Sequence, residues 1–209
     1  MSKLLNEDVI VVVDLETTGL NPNNNWILEV GAVLADAKSL EVIDSRSWVV
    51  RPIAEMRKAG PFAAARVASI EEVKARADSY VLKMHEANGL WAEVEAATQT
   101  LIDVGMEFPH WLHENKLRTS DTVYTFMGRG PDRFDRVWLR HNGEVLQHMD
   151  DLFHYRSLDV SNIHHAFKRA GYPLGEELLR NPSTHRAVPD CLDTLADWRH
   201  IVNTIAQLP

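Results

Sequence analysis

The chain contains little cysteine, no excess of basic residues and no long apolar run. Cys191 is the one cysteine among 209 residues, which excludes an internal disulfide and favours the reducing cytoplasm. No stretch approaches the ~20 apolar residues that a membrane span needs, and the first residues lack the apolar core of a secretion signal. We therefore expect a soluble cytoplasmic protein without a membrane partner.

Acidic residues outnumber basic ones, with 30 Asp and Glu against 22 Lys and Arg, so the net charge is −8. This charge excludes a protein that coats long nucleic acid, because such binding needs clustered Lys and Arg. A small nucleotide remains compatible with it, since divalent cations held in an acidic cleft become the largest local charges and attract phosphate. The 45% of hydrophobic and 25% of charged residues are typical of a globular protein with a sizeable core.

The hydrophobic pattern predicts an α/β protein. Short β-branched or alternating runs predict strands at about 8–14, 26–35, 42–51, 122–127 and 158–160. Helical spacing, with a capping box at residues 69–72, predicts helices after that box and at about 90–104, 109–116, 132–141, 160–170 and 188–206. The first strand is expected at the centre of the sheet. Because no repeat or linker is present, we predict one domain, 1–209, with a mixed five-stranded sheet flanked by helices and a helical insertion at about 53–118.

Two acidic residues close the first predicted strand. Asp14 and Glu16 are two positions apart, so both side chains leave the same face of the strand. Two neighbouring carboxylates repel each other unless a cation lies between them, and oxygen ligands of this kind suit hard divalent cations. The end of this strand is therefore a candidate metal site.

Asp132, His185 and Asp190 complete a set of four carboxylates and one histidine. Each of these three residues also has a simple structural interpretation. Asp132 could cap a helix, His185 could lie in a surface loop, and Asp190 could be an acid in the first turn of a helix. Asp135, one turn after Asp132, competes with it for the same role. Together the set predicts metal-dependent hydrolysis of a phosphodiester.

The order Asp14-x-Glu16, Asp132 and His185-x4-Asp190 resembles the DEDDh branch of the 3′→5′ exonuclease superfamily, which has an RNase H-like fold. Within that branch the chain is most similar to the oligoribonuclease family. Residues 154–161, His-Tyr-Arg-Ser-Leu-Asp-Val-Ser, resemble the family's His-Tyr-Arg-Tyr-Leu-Asp-Val-Ser, and residues 85–90 resemble its His-x-x-Ser-Gly-Leu. The likeness covers most of the chain, although residues 52–80 are longer than the family's segment.

The resemblance implies a two-metal hydrolase that trims very short RNAs, especially dinucleotides, from the 3′ end and releases 5′-mononucleotides. Asp14, Glu16, Asp132 and Asp190 would hold two Mg²⁺ or Mn²⁺ ions. His185 would be the general base, a role that suits a group titrating near neutrality.

The same resemblance assigns substrate-binding residues. Leu20 would wedge between two bases, Tyr80 would stack on a base in place of the family's Trp, and His85 would lie at the 5′ end. The family caps the 5′ phosphate partly from the second subunit of a homodimer, and the residues that match this cap are Tyr155, Arg156 and Ser161. Gly128 stands where the family has Ser, so Arg129 is expected to replace that phosphate contact.

Two other functions stay open. One is a broader 3′→5′ exonuclease on single-stranded DNA or RNA, of the proofreading or ribonuclease T type. The other is a catalytically silent nucleotide-binding protein. The acidic charge and the Tyr155–Arg156 pair favour an enzyme for short RNA, because a cap on the 5′ phosphate would limit substrate length.

Overall fold

The β-branched residues 9–13 form the middle of the central strand of a five-stranded mixed sheet. The computed structural model describes residues 4–54, 66–117, 122–142, 144–172 and 183–207. The strands are β1 (Leu4–Thr17), β2 (Ile27–Asp36), β3 (Val42–Val49), β4 (Thr122–Gly128) and β5 (Leu158–Asp159), in the order β3-β2-β1-β4-β5. β1 pairs antiparallel with β2 and parallel with β4. The predicted α/β class and mixed sheet with a central first strand are confirmed.

The described helices surround this sheet. They are α1 (Ile70–Lys74), α2 (Ser79–Ala87), α3 (Leu90–Ala96), α4 (Leu101–Glu114), α5 (Asp135–His141), α6 (Glu144–Asp150), α7 (Val160–Arg169) and α8 (Ala187–Ile205). The capping box before α1 is present, with Ser69 and Glu72 bonding each other's backbone N–H. Among the described residues, no helix is both long and apolar enough to span a membrane.

Several helix boundaries in the insertion differ from the prediction. The helix predicted after the first capping box is divided into α1 and α2, because Asp78 caps a new helix. The helix predicted over 90–104 is interrupted, because Ala97 is extended and a second capping box, Thr100 with Asp103, starts α4. Pro109 lies inside α4 rather than at the start of a helix. A proline there costs roughly 3 kcal/mol, but the same helix buries Phe108 and Leu112 completely, and burial of two such side chains offsets that cost.

Alternation along β1 separates the core into two layers. Val11, Val13 and Leu15 face the cluster that α4, α5 and α6 cover, whereas Ile10 and Val12 face the cluster that α7 and α8 cover. Successive side chains of a strand point to opposite faces, so the even-numbered acids that follow Val12 continue the α8 face. The fold therefore directs the first acidic motif towards the start of α8.

Candidate active site

The end of β1 carries two carboxylates with raised pKa values. Burial raises the pKa of Asp14 well above its usual range, and repulsion from Asp135, Glu16 and Asp190 raises it further. Burial likewise raises the pKa of Glu16 to about 8, with repulsion from Asp190 adding to the effect. Raised pKa values show that the ionised form of these carboxylates is disfavoured, because too little positive charge lies near them to offset burial and mutual repulsion.

The segment that leads into α8 brings His185 and Asp190 to this strand. One ligand atom each from Glu16, His185 and Asp190 lie within 4.8 Å of one another. Asp190 is held by Ser183, whose hydroxyl donates to its carboxylate, and by the backbone N–H and hydroxyl of Thr184, both at 3.2 Å. The two residues of the His185-x4-Asp190 motif therefore lie together beside Glu16.

Gly31 allows this close approach. It pairs with Asp14 across β1 and β2, and the first turn of α8 lies directly on it. A Cβ at this position would be 2.5 Å from the Cβ of Ala187 and 2.6 Å from its carbonyl carbon. A glycine opposite Asp14 thus lets the start of α8 settle beside the acidic strand end.

The structure brings Asp135, not Asp132, to the acidic cluster. Asp135 is only 3% exposed and lies near the backbone of Leu15, which acts to lower its pKa. Burial raises its pKa to about 7, and its Oδ1 has no hydrogen-bond partner among the described residues. It is also the neighbouring charge that raises the pKa of Asp14 most. These contacts place Asp135 beside the first acidic motif.

Asp132 occupies a different environment. Its side chain is 56% exposed and lies 3.7 Å from the Arg136 guanidinium, and it accepts a hydrogen bond of 2.8 Å from the Ser157 hydroxyl. The helix was predicted to begin at residue 132, but α5 begins at Asp135. The signal that could have decided between them is the helical spacing of Asp135, Trp138 and Leu139, which share the inward face of α5.

A cleft opens over the cluster, between the end of β1, the start of α8, α2 and the turn before α5. The residues that line it are Asp14, Leu15, Glu16, Thr17, Gly19, Leu20, Asp78, Tyr80, Val81, Met84, Phe134, His185 and Asp190. Leu20 and Tyr80 are 83% and 66% exposed at this cleft, as their predicted contacts with bases require. Asp78 was missed because its sequence signal is that of a helix cap, and it does cap α2 by accepting from Tyr80 and Val81.

His85 is placed behind the cleft rather than on its surface. It is fully buried, its Nε2 donates to the Thr17 carbonyl at 3.2 Å, and the same nitrogen lies 3.8 Å from Glu16 Oε2. Its ring meets that of Trp91 edge to face at 5.4 Å, and burial lowers its pKa. In this position His85 contacts Glu16, and its expected contact with the 5′ end of a substrate stays a prediction.

The predicted phosphate-binding residues lie outside this cleft. Tyr155 is 69% exposed, and the Arg156 guanidinium lies 5.0 Å over its ring. Ser161 is in the first turn of α7. Arg129 donates to Asp197 of α8 at 2.6 Å, so its guanidinium is already engaged. The buried Nε of Arg129 has no hydrogen-bond partner among the described residues, and the expected phosphate contact of Arg129 stays a prediction.

The donor set fits hard divalent cations. Asp14, Glu16, Asp135 and Asp190 converge, and three of these carboxylates are largely buried with raised pKa values. The uncommitted Oδ1 of Asp135 offers a further oxygen ligand. Carboxylate oxygens with one nearby imidazole suit Mg²⁺ or Mn²⁺ better than softer metals. A cation at this position would remove the repulsion that raises the pKa values.

Comparison with known proteins gives a consistent result. No protein-family model matches the chain. Curated proteins named oligoribonuclease do match, among them one from Dichelobacter nodosus, 28% identical over 193 residues and covering 91% of each chain. Another, from Aeromonas hydrophila, is 29% identical over 195 residues and covers 90% of each chain. The predicted resemblance to oligoribonuclease is confirmed.

Solved structures show the same fold as this oligoribonuclease-like chain. The nuclease domain of 3′hExo, a DEDDh family member bound to rAMP, has a TM-score of 0.58 and 15% identity, covering 97% of this chain and 96% of that one. E. coli ExoI in a complex with single-stranded DNA has a TM-score of 0.57 and 14% identity, covering 96% and 41%. At such identities the likeness concerns the fold, and it confirms the predicted RNase H-like exonuclease architecture.

Gly128 ends β4, and a Cβ at this position would lie 3.1 Å from the Cβ of Pro131. The expected match of Gly128 with the family's Ser is counted four residues back from Asp132. Because the acid beside Asp14 is Asp135, the same count leads to Pro131 instead.

Proposed function

We propose that this chain is a metal-dependent 3′→5′ exoribonuclease that hydrolyses short oligoribonucleotides, especially dinucleotides, to 5′-mononucleotides. The observation that carries the proposal is the convergence of Asp14, Glu16 and Asp190 with His185 at one cleft. The curated relatives named oligoribonuclease, which match over about nine-tenths of the chain, support the class of substrate. The proposal treats residues 1–209 as one exonuclease domain that acts in the cytoplasm, where its single thiol would stay reduced.

Asp14, Glu16, Asp135 and Asp190 are the proposed ligands of two divalent ions, Mg²⁺ or Mn²⁺. Asp135 takes the role that the sequence pattern suggested for Asp132. When bound, such ions neutralise the phosphate and activate water for attack on phosphorus. The carboxylates would hold the ions at the base of the cleft, next to the position of the scissile phosphate.

His185 is the proposed general base. Its ring faces the cleft near Glu16 and Asp190, where it can accept the proton of the attacking water. A positioned imidazole is suited to this transfer because it titrates near neutral pH. The bond that breaks is the one between phosphorus and the 3′ oxygen of the preceding nucleotide, and the product is a 5′-mononucleotide.

Leu20 and Tyr80 are the proposed contacts for bases. Both are exposed at the cleft, and an aromatic ring offers a stacking surface to any base. Leu20 would separate two bases while Tyr80 stacks on one of them. Two such contacts beside one catalytic cluster suit a substrate of two nucleotides.

The proposal includes a homodimer in which Tyr155, Arg156 and Ser161 cap the 5′ phosphate in the partner's cleft. Tyr155 and Arg156 are exposed and lie against each other, away from the cleft of their own chain. An Arg fork binds phosphate in a bidentate way. If the cap residues served the cleft of a second copy, their distance from the cleft of their own chain would be explained.

A broader exonuclease is the second candidate. It is supported by the solved neighbours in complexes with single-stranded DNA and with a histone mRNA stem-loop. A catalytically silent nucleotide-binding protein would not need to keep these carboxylates together at the energetic cost that the raised pKa values of Asp14, Glu16 and Asp135 indicate.

The test uses 5′-labelled RNAs of two, three, five and twenty nucleotides with Mg²⁺ or Mn²⁺, and compares the wild type with His185→Ala. We expect rapid hydrolysis of the dinucleotide, slow trimming of the twenty-mer and loss of both in the variant. Equal rates on all lengths would support the broader exonuclease. Dinucleotide binding without hydrolysis under any metal condition would support the silent protein.

A further inference from the structure

We propose that Asn88, in the helical insertion, is a positioning residue that holds His185 in its working orientation. Asn88 is the C-cap residue of α2, distant in sequence from His185. Its amide nitrogen donates to the His185 carbonyl at 2.6 Å and to the Thr184 carbonyl at 3.3 Å. This inference rests on the role of His185 in the proposed function, and it assigns a task to the insertion.

The side chain of Asn88 is fixed at both ends. While its amide nitrogen reaches the His185 segment, its carbonyl oxygen accepts from the backbone N–H of Leu90 at 3.1 Å. Leu90 is fully buried and begins α3. The amide therefore connects a rigid helix start to the two residues that precede Arg186, and all three of its interactions are with backbone atoms.

His185 needs such support because its backbone is strained. Its φ angle is 50°, in the left-handed region that a residue with a Cβ rarely adopts. Residues in sparsely populated backbone regions cost about 1–3 kcal/mol and persist only where their surroundings determine them. Its own N–H donates to the Ser183 hydroxyl at 3.0 Å, and the bond from Asn88 holds its other peptide group.

Arg186 fixes the chain on the following side. Its guanidinium bonds Glu93 of α3 through two contacts of 2.7 Å and Glu29 of β2 at 3.0 Å. The insertion thus holds residues 184–186 at two points, through Asn88 and through Glu93. With the backbone on both sides of His185 held, only the two side-chain torsions remain to place the imidazole, and misplacement by 1 Å can cost about 10²-fold in rate.

Asn88→Asp is the informative substitution. An aspartate keeps the oxygen that accepts from the N–H of Leu90, but it has no donor for the two carbonyl groups. Asn88→Ala removes both interactions and serves as the second variant. Asn115→Ala is the matched control, because Asn115 is also a C-cap asparagine, and its amide bonds Trp111 and Asp44 instead.

The experiment measures kcat and KM on a labelled dinucleotide, and amide hydrogen exchange over residues 183–187, for the two Asn88 variants and the control. We expect kcat to fall by about 10–100-fold with little change in KM, and exchange at His185 and Arg186 to increase. The Asn115→Ala enzyme should match the wild type in both. In a His185→Ala background, Asn88→Ala should no longer lower the residual kcat, since its effect acts through His185.

Three results would overturn the proposal. They are unchanged exchange over 183–187 in both Asn88 variants, a kcat that stays at the wild-type value, and an equal further loss in the His185→Ala background. If the wild type hydrolysed no substrate, the proposed function would fail, but the exchange measurement would still decide whether Asn88 holds this segment. Failure of the two proposals is therefore distinguishable.

Discussion

The carboxyl of Asp135 in α5 lies near the backbone of Leu15, the residue between Asp14 and Glu16, and this peptide group lowers its pKa against the effect of burial. The approach is possible because β4 ends at Gly128, whereas β1 continues to Thr17. The last residue of β1 that pairs with β4 is Val12, so the strand edge beyond it is open to a side chain. The start of α5 takes that place and delivers a third carboxylate to the acidic strand end.

The first prediction separates the two candidate acids. Asp135→Asn should abolish detectable turnover, because it removes a proposed metal ligand from the cluster. Asp132→Asn should keep most of the activity, since the Asp132 carboxylate is exposed and bonds Ser157. Dinucleotide hydrolysis at saturating Mn²⁺ measures both. The reverse order of effects would restore Asp132 as the ligand.

The second prediction concerns pH and stability without metal. The pKa values of Glu16 and Asp135 are raised to about 8 and about 7, so the folded state binds more protons than the unfolded state between about pH 4 and these values. The free energy of unfolding should therefore decrease as pH rises from about 5 to about 8 in a chelator. Urea unfolding at several pH values measures this slope. Glu16→Gln should reduce the slope, and an unchanged slope would show that Glu16 is not the cause.

The third prediction concerns the contact between β2 and α8. Gly31→Ala should destabilise the protein by about 1–3 kcal/mol, the cost of overpacking a core, and should lower turnover, because Ala187 must move and carry Asp190 with it. Gly171→Ala is the control. Its Cβ would meet open space at a φ of 77°, so stability should decrease by roughly 1 kcal/mol while turnover per folded molecule stays the same. Equal turnover in both variants would argue against a role of Gly31 at the site.

The fourth prediction concerns base stacking. Tyr80→Ala should raise KM for a dinucleotide, because a stacked base contributes about 1–3 kcal/mol to binding. Its effect on stability should be small, since the side chain is 66% exposed. Tyr80→Phe should behave as the wild type, and Tyr172→Ala, an exposed tyrosine packed on Phe167, should leave KM unchanged. A rise in KM for Tyr172→Ala alone would place the base elsewhere.

The fifth prediction tests the shared phosphate cap. Arg156→Ala and His185→Ala should each be inactive on a 5′-phosphorylated dinucleotide. In a mixed dimer one cleft would combine an intact His185 with an intact Arg156 from the other subunit, so mixing the two proteins should restore about a quarter of the wild-type activity. Arg169→Ala is a suitable control for removing an exposed arginine. No recovery after subunit exchange would mean that Arg156 does not act across subunits.

The sequence by itself determined the central strand and its acidic end. The β-branched run before Asp14 and Glu16 predicts a strand, and side-chain direction in a strand repeats every two residues. Both carboxylates therefore lie on one face, independently of the rest of the fold. The place of Asp190 in the first turn of a helix was also local, whereas His185 precedes that helix, so the sequence indicated its nearness to Asp190 but not its orientation. Local periodicity decides such features, because each involves neighbours in the chain.

Only the tertiary structure decided which residues complete the cluster. The helical spacing of Asp135 with Trp138 and Leu139 favours Asp135 over Asp132, but its place in the cluster depends on the open edge of β1 beside Leu15. The burial of His85 behind Glu16 and the bond from Asn88 to His185 join segments that are far apart in the chain. Contacts of this kind follow from how the insertion and α8 pack on the sheet. A local sequence pattern carries no information about that packing.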